Sequence, residues 1–347
     1  MHFASDNGGP CPPQILQALA EANSGYAPAY GADAVTQAAT DHLRRLFEAP
    51  QAAVYFVPTG TAANALALAT LVQPFQTVYC TPMAHIREDE CNAPEFYTGG
   101  APLTLVPGSD RMTPEALRQS MGAPGRRAVH HAQHGALSLT NVAEMGNVYT
   151  VDEIAALCAV AREADMPVHL DGARFANACV RLGCTPAEMT WRAGVDVAVF
   201  GGTKNGCLGV EAVILFDSER AWEFELRRKR AGHLFSKYRY LSAQMMGYLQ
   251  DDLWRDLAGQ ANARCDALAQ GLERLGVEIV NPTFANMLFI RLPRRVHTAV
   301  MARGAVYHLW EGAEGPADEV VTGRLVCDWS VSEEAVAGFL QAVESEL

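Results

Sequence analysis

The sequence predicts an α/β protein: a mostly parallel sheet flanked by helices, followed by a small C-terminal α+β domain. Three observations carry this. Short apolar strands alternate with helical patterns through the first two thirds of the chain. The strands are nearly continuous apolar runs, such as "DVAVF" from Asp196 to Phe200, which suits a sheet covered on both faces. From about Phe235 to Leu275 the texture becomes long-helical, and shorter strands follow it.

The elements follow in order. The first 35 residues, "SDNGGPCPP" and "SGYAPAYGAD" among them, are loop-rich. "VTQAATDHLRRLF" has helical spacing at Leu43, Leu46 and Phe47. "AAVYFVPTGTAANALALATLV" reads strand, tight turn, helix; "QTVYCTP" and "PLTLVPG" read as short strands. Thr113 is an N-cap with Pro114 at the first helical position. "ALSLTNV" is a strand. Thr150 and Glu153 form a capping box, after which Ile154, Leu157, Cys158 and Ala161 share one face. "PVHLDGARF", "GVDVAVFGGTKNG" and "EAVILF" are further strands. A last helix is expected from a capping box of Ser330 and Glu333. The division this predicts is 1–240 for a large domain, with a loop arm at 1–35, and 241–347 for a linking helix and the small domain.

Composition bounds the function. With 347 residues the chain can bury a sizeable core. A net charge of −12, from 39 acidic and 27 basic side chains, excludes an obvious basic face for nucleic acid. Nine cysteines without a C-x-x-C pair suggest reduced thiols in a cytoplasmic protein rather than a metal ribbon, and no metal site is expected. Residues 49–86 carry no Asp, Glu, Lys or Arg, but Pro58, Gly60, Pro74 and Pro82 interrupt the run, so a buried core segment is expected and not a membrane span.

Three places carry chemistry. Lys204 follows an apolar strand inside a glycine-rich loop, at the strand end where open α/β sheets bind ligands. Partial burial there makes an amine nucleophilic. A loop lysine pointing into water is the plain alternative. No Ser or Thr follows Lys204, so the loop is not a P-loop. Asp171 ends another strand, where it is either a helix N-cap or a carboxylate holding a heterocycle nitrogen protonated. Gly60 and Thr61 sit where a strand turns into a helix, a setting that binds phosphate. A lysine for a Schiff base, an aspartate for a pyridinium and a helix terminus for a phosphate together describe pyridoxal 5'-phosphate chemistry.

Their order, phosphate turn, then Asp171, then Lys204, resembles the aspartate-aminotransferase-like superfamily of pyridoxal enzymes, whose large domain is the fold type I architecture. "SDNGGP", "TGTAANALAL", "HIREDE", "VHLDGARFANA" and "FGGTKNG" resemble the L-threonine aldolase family of β-eliminating lyases, and "RKRAGHLFSKYRYLSAQ" its low-specificity bacterial branch. The resemblance implies roles. His85 would stack on the cofactor ring and Glu90 would be an active-site acid. Arg174 would lie near cofactor and substrate, Ser5 near the substrate carboxylate, and Arg324 would clamp that carboxylate. Tyr30 would enter a partner subunit's site in a homo-oligomer of two or four copies. Many members carry a histidine in "ENTHN" after the middle strand, whereas this chain has "LTNVAEMGN". His131, just upstream, is placed to supply that imidazole; exposure or core packing fits its setting equally well.

The resemblance implies cleavage of threonine and related β-hydroxy-α-amino acids to glycine and an aldehyde, with His85, His131 or a water held by Glu90 as the base. Rival expectations are β-elimination or racemisation on the same scaffold, or a ligand-binding protein of this fold without turnover.

Overall fold

The computed structural model describes residues 1–122 and 128–347. Seven strands make the main sheet: β1 (Ala53–Val57), β2 (Gln76–Cys80), β3 (Leu103–Leu105), β4 (Gln133–Thr140), β5 (Val168–Asp171), β6 (Val197–Gly201) and β7 (Glu211–Leu215). Their spatial order is β1-β7-β6-β5-β4-β2-β3. The run β6-β5-β4-β2-β3 is parallel, and β7 is antiparallel to both β6 and β1.

The apolar texture of these strands follows from burial on both faces. In β6, Ala198 and Phe200 enter the core on one side, while Val197 and Val199 enter the core on the other. The second core explains the charge-free stretch. Helix Gly60–Leu71 is buried from Ala62 to Leu71, so no face of it has room for an unpaired charge. Helix Val151–Arg162 opens with the expected Thr150–Glu153 capping box and buries Ile154, Leu157, Cys158 and Ala161. Thr113 caps helix Pro114–Met121 as its sequence indicates.

A four-stranded antiparallel sheet follows, in the order β10-β11-β9-β8, with β8 (Glu278–Ile279), β9 (Met287–Pro293), β10 (His308–Leu309) and β11 (Val320–Val326). Helix Leu253–Arg274 joins the two parts: Trp254 and Leu257 lie in the first core, Cys265 and Leu268 in the core of the small sheet. The amino terminus departs from the expected loop arm of the large domain. His2 bridges to Val306, and Phe3 packs edge-on to Phe339 at 5.2 Å in the small core. The last helix, Glu333–Glu344, is capped by Ser332 and not by Ser330. Ser330 instead donates its hydroxyl to Asp328 at 2.6 Å, a local turn that satisfies it without the helix.

Candidate active site

The parallel strands end at one edge of the sheet, and the register brings their last residues together: Thr140 lies beside Asp171, and Gly201 beside Glu211. A cavity of about 340 Å³ opens there. Gly60, Thr61, Asn64, His85, Asp171, Lys204 and Glu211 are among its lining residues.

Lys204 sits in a 3₁₀ turn, Thr203–Asn205, directly after β6. The glycines before it are required by close approach. A Cβ on Gly201 would stand 2.5 Å from the Ala173 carbonyl oxygen, and one on Gly202 2.7 Å from that of Val210. Asn205 anchors the turn by donating to the Tyr248 hydroxyl at 2.7 Å and the Trp254 carbonyl at 2.8 Å. The Arg174 guanidinium, then burial, lowers the pKa of the Lys204 amine; Asp6, Asp171 and Glu211 oppose them. The lysine is therefore not a solvated loop cation.

Asp171 is not a helix cap. The next helix starts at Phe175, with Arg174 at its N-cap position and no side-chain cap. The Asp171 carboxylate accepts from the Ala173 amide at 3.0 Å and from Asn64 Nδ2 at 2.9 Å. Asn64 also donates to Glu90 Oε1 at 2.8 Å, and His85 Nδ1 lies 2.8 Å from that same oxygen. The bond to Glu90 raises the His85 pKa against the pull of burial, and burial raises Glu90 in turn. Ligating atoms of His85, Glu90 and Asp171 lie within 4.8 Å of one another, a spacing a metal ion could use. Hydrogen bonds already tie these atoms to one another and to Asn64.

Arg174 and Asp6 form a buried bidentate pair, with Nε to Oδ2 at 2.6 Å and Nη2 to Oδ1 at 3.0 Å. Burial pushes the Asp6 carboxyl up, but Arg174, Lys204 and a bond from Asn286 outweigh it, and its pKa is lowered. Arg324 stands on β11 opposite Phe289 of β9. Burial and then the Arg174 charge lower its pKa, while Asp6 and Asp89 oppose them.

The structure thus brings together Gly60, Thr61, His85, Glu90, Asp171, Arg174 and Lys204. Ser5 lies on the adjoining loop, where its hydroxyl accepts from the Asn7 amide at 3.1 Å, and Asn7 lines the cavity. Tyr30 is outside the cavity. It is 50% exposed, with Lys229 Nζ 4.8 Å above its ring. His131 must be corrected: it precedes β4, whereas the site lies past the other end of that strand. Eight residues of strand at roughly 3.3 Å each put it about 25 Å away. Sequence reasoning missed Asn64, Asp6, Glu144 and Glu211. Glu144 accepts from the His85 backbone amide at 2.9 Å. An isolated acid heading an apolar strand was the available signal for Glu211.

The sheet order, the cavity at the strand ends and the half-enclosed lysine define an enzyme of the pyridoxal-phosphate fold type I class. The pattern of the family described as Beta-eliminating lyase matches residues 2–294, and the chain belongs to that family. It is 41% identical over 336 residues to a low specificity L-threonine aldolase of Pseudomonas aeruginosa, covering 96% of this chain and 94% of that one. A low specificity L-threonine aldolase of Escherichia coli is 26% identical over 76% of each chain. Among solved structures, the threonine aldolase of Leishmania major superposes with a TM-score of 0.92 at 25% identity, over 99% of this chain and 98% of that one. A serine palmitoyltransferase of Sphingomonas wittichii shares the fold, with a TM-score of 0.72 at 17% identity over 100% of this chain and 86% of that one.

Proposed function

We infer that this chain is a pyridoxal 5'-phosphate-dependent carbon–carbon lyase that cleaves L-threonine, L-allo-threonine and related β-hydroxy-α-amino acids to glycine and an aldehyde. One observation carries the reading: a lysine with a lowered pKa shares its cavity with Asp171, His85 and a free helix N-terminus. The cofactor fits the groups present. Thr59 caps helix Gly60–Leu71 by accepting from the Ala62 amide, and among the described residues the Gly60 and Thr61 amides have no acceptor. A Cβ on Gly60 would meet nothing within 4 Å, so the space above that helix end is open. Those amides and the helix dipole would hold the phosphate. Asp171, kept in place by Asn64, would hold the pyridine nitrogen, and Lys204 would take the aldehyde.

When bound, the cofactor supplies an electron sink for the pair left at Cα. The chain's residues do the rest. Arg324, facing the Arg174–Asp6 pair, binds the substrate carboxylate, with Ser5 at its side; two guanidinium groups against one close carboxylate leave room for a second anion. The His85–Glu90 pair takes the β-hydroxyl proton as the Cα–Cβ bond breaks, which releases the aldehyde. Cα is then protonated, and glycine leaves. With His131 on the far edge, this pair or a water it holds replaces the histidine found in other members.

On the same reading residues 1–240, apart from the amino-terminal residues that pack on the small sheet, carry the cofactor, and residues 241–347 bring Arg324 over it. The protein works as a cytoplasmic homo-oligomer of two or four copies. Tyr26 and Tyr30 stand exposed outside their own chain's site, as residues serving a partner copy would. Among the described residues no helix is long and apolar enough to cross a membrane.

The deciding experiment is Lys204→Ala, followed by visible absorbance and by glycine and aldehyde release from threonine. Turnover and the absorbance of covalently held cofactor are both expected to vanish. A variant that keeps both would remove Lys204 from its role.

A further inference from the structure

We propose that Glu211 is a positioning residue for Lys204, holding the turn that carries the lysine and setting the charge of its amine. The proposal rests on the reading of Lys204 as the cofactor-linking amine. The register Gly201–Glu211 lays the head of β7 across the end of β6. Glu211 Oε2 accepts the Gly202 amide at 2.9 Å, and the Thr203 side chain beside it favours its charged form. Thr203 Oγ1 in turn accepts the Val210 amide at 3.2 Å. Of the two residues immediately before Lys204, Gly202 is therefore held by this carboxyl and Thr203 by the amide that precedes β7.

A neutral acceptor would grip the turn as well, and an acid is costly to bury. Glu211 is 5% exposed and lines the same cavity as Lys204 and Asp171. The groups acting on it are Lys204 from the 3₁₀ turn, Asp171 from β5, Cys207 from the following loop and Tyr248 from helix Arg239–Leu249. Burial first, helped by Asp171 and opposed by Lys204, pushes its pKa up to about 7. Around neutral pH the acid thus passes between a neutral form, which leaves the amine to Arg174 and burial, and a carboxylate, which stabilises the ammonium. Lysine and glutamate titrate as a coupled pair, and the two macroscopic steps belong to the pair and not to either residue.

The chain has three lysines, at 204, 229 and 237, which makes the test direct. Apoprotein is labelled with acetic anhydride across a pH series, and each lysine is followed in its own peptide by mass spectrometry. Glu211→Gln keeps an oxygen for Gly202 and removes the charge. Above neutral pH its Lys204 is expected to label several-fold faster than in the parent, with Lys229 and Lys237 unchanged as internal controls. An unchanged Lys204 profile would overturn the proposal. In the parent protein itself, Lys204 labelling is expected to follow a two-step pH curve; a single-site curve overturns the proposal even if the variant does not fold. Neither measurement uses cofactor, so the proposal can fail while the Lys204→Ala test succeeds, and the reverse.

Discussion

His85 Nδ1 and Glu90 Oε1 lie 2.8 Å apart, and the same carboxylate oxygen receives Asn64 Nδ2, which also reaches Asp171. One amide therefore ties the proposed base pair to the carboxylate proposed for the pyridine nitrogen. His85 is partly open to the cavity, whereas the Glu90 side chain is fully buried. The arrangement gives the imidazole a charged partner that solvent cannot screen.

The first prediction follows from that pair. The bond to Glu90 is the largest influence raising the His85 pKa. Glu90→Gln removes the charge and keeps the shape. The acidic limb of the kcat/KM profile is expected to move to lower pH, and kcat to fall by about tenfold or more, toward the usual loss when a positioned base is impaired. A profile that does not move would show that Glu90 only packs beneath the histidine.

The second concerns Asp171. Its carboxylate is held from two sides, by the Ala173 amide and by Asn64, so asparagine can occupy the same space. Asp171→Asn is expected to melt within a few degrees of the parent and lose at least about a hundredfold in kcat, the order expected when a charge supporting the transition state is removed. Comparable turnover with cofactor bound would leave Asp171 a structural acceptor only.

Asp171 and Lys204 were legible in the sequence because each closes an apolar strand, and strand ends in parallel sheets converge. The turn at Gly60 was legible for the same reason. Asn64 was not, because within a charge-free helix it reads as a core position. Asp6 and Arg174 are 168 residues apart, and only the fold shows them to be partners. His131 misled because proximity in sequence to a missing motif says nothing about which end of β4 it occupies. Glu211 reads only as the first residue of an apolar strand, because its partner, the Gly202 amide, lies on the neighbouring strand end.

The third prediction is a pH dependence of stability. Burial pushes the Glu144 pKa up from 4.5 to about 7, and one of its oxygens is enclosed without a hydrogen-bond partner among the described residues. The folded chain keeps this proton where the unfolded chain releases it. Its contribution is full below about pH 4.5 and is lost as pH rises toward about 7. Glu144→Gln cannot ionise and can still accept the His85 amide. The fall in apoprotein melting temperature between pH 5 and pH 7.5 is therefore expected to be smaller in the variant, by about the few degrees that 1 kcal/mol represents in a chain of this size. Parallel melting curves for the two proteins would show that Glu144 stays ionised.

The last prediction concerns Arg324. The resemblance makes Arg324 a clamp for the substrate carboxylate; the structural alternative is a strand arginine paired with a nearby acid such as Asp318. The structure removes the second, because Asp318 pairs with Arg295 at 3.3 Å and no described residue forms a salt bridge with Arg324. The nearby charges instead include another guanidinium, that of Arg174, which together with burial lowers the Arg324 pKa. Such a cation gains from an incoming carboxylate, and losing the contact typically costs about 2–5 kcal/mol. Arg324→Ala is therefore expected to raise KM for threonine by roughly thirtyfold or more, which is the lower end of that range. Cofactor absorbance should persist, because the phosphate and lysine contacts are elsewhere. The melting temperature should stay level or rise slightly, since a mutually repelling charge is removed. Arg324→Lys should recover little, because an ammonium cannot supply two parallel donors to one carboxylate. Threonine titrations of both variants, run beside their melting curves, decide the matter: unchanged KM with lowered stability would return Arg324 to a purely structural place on β11.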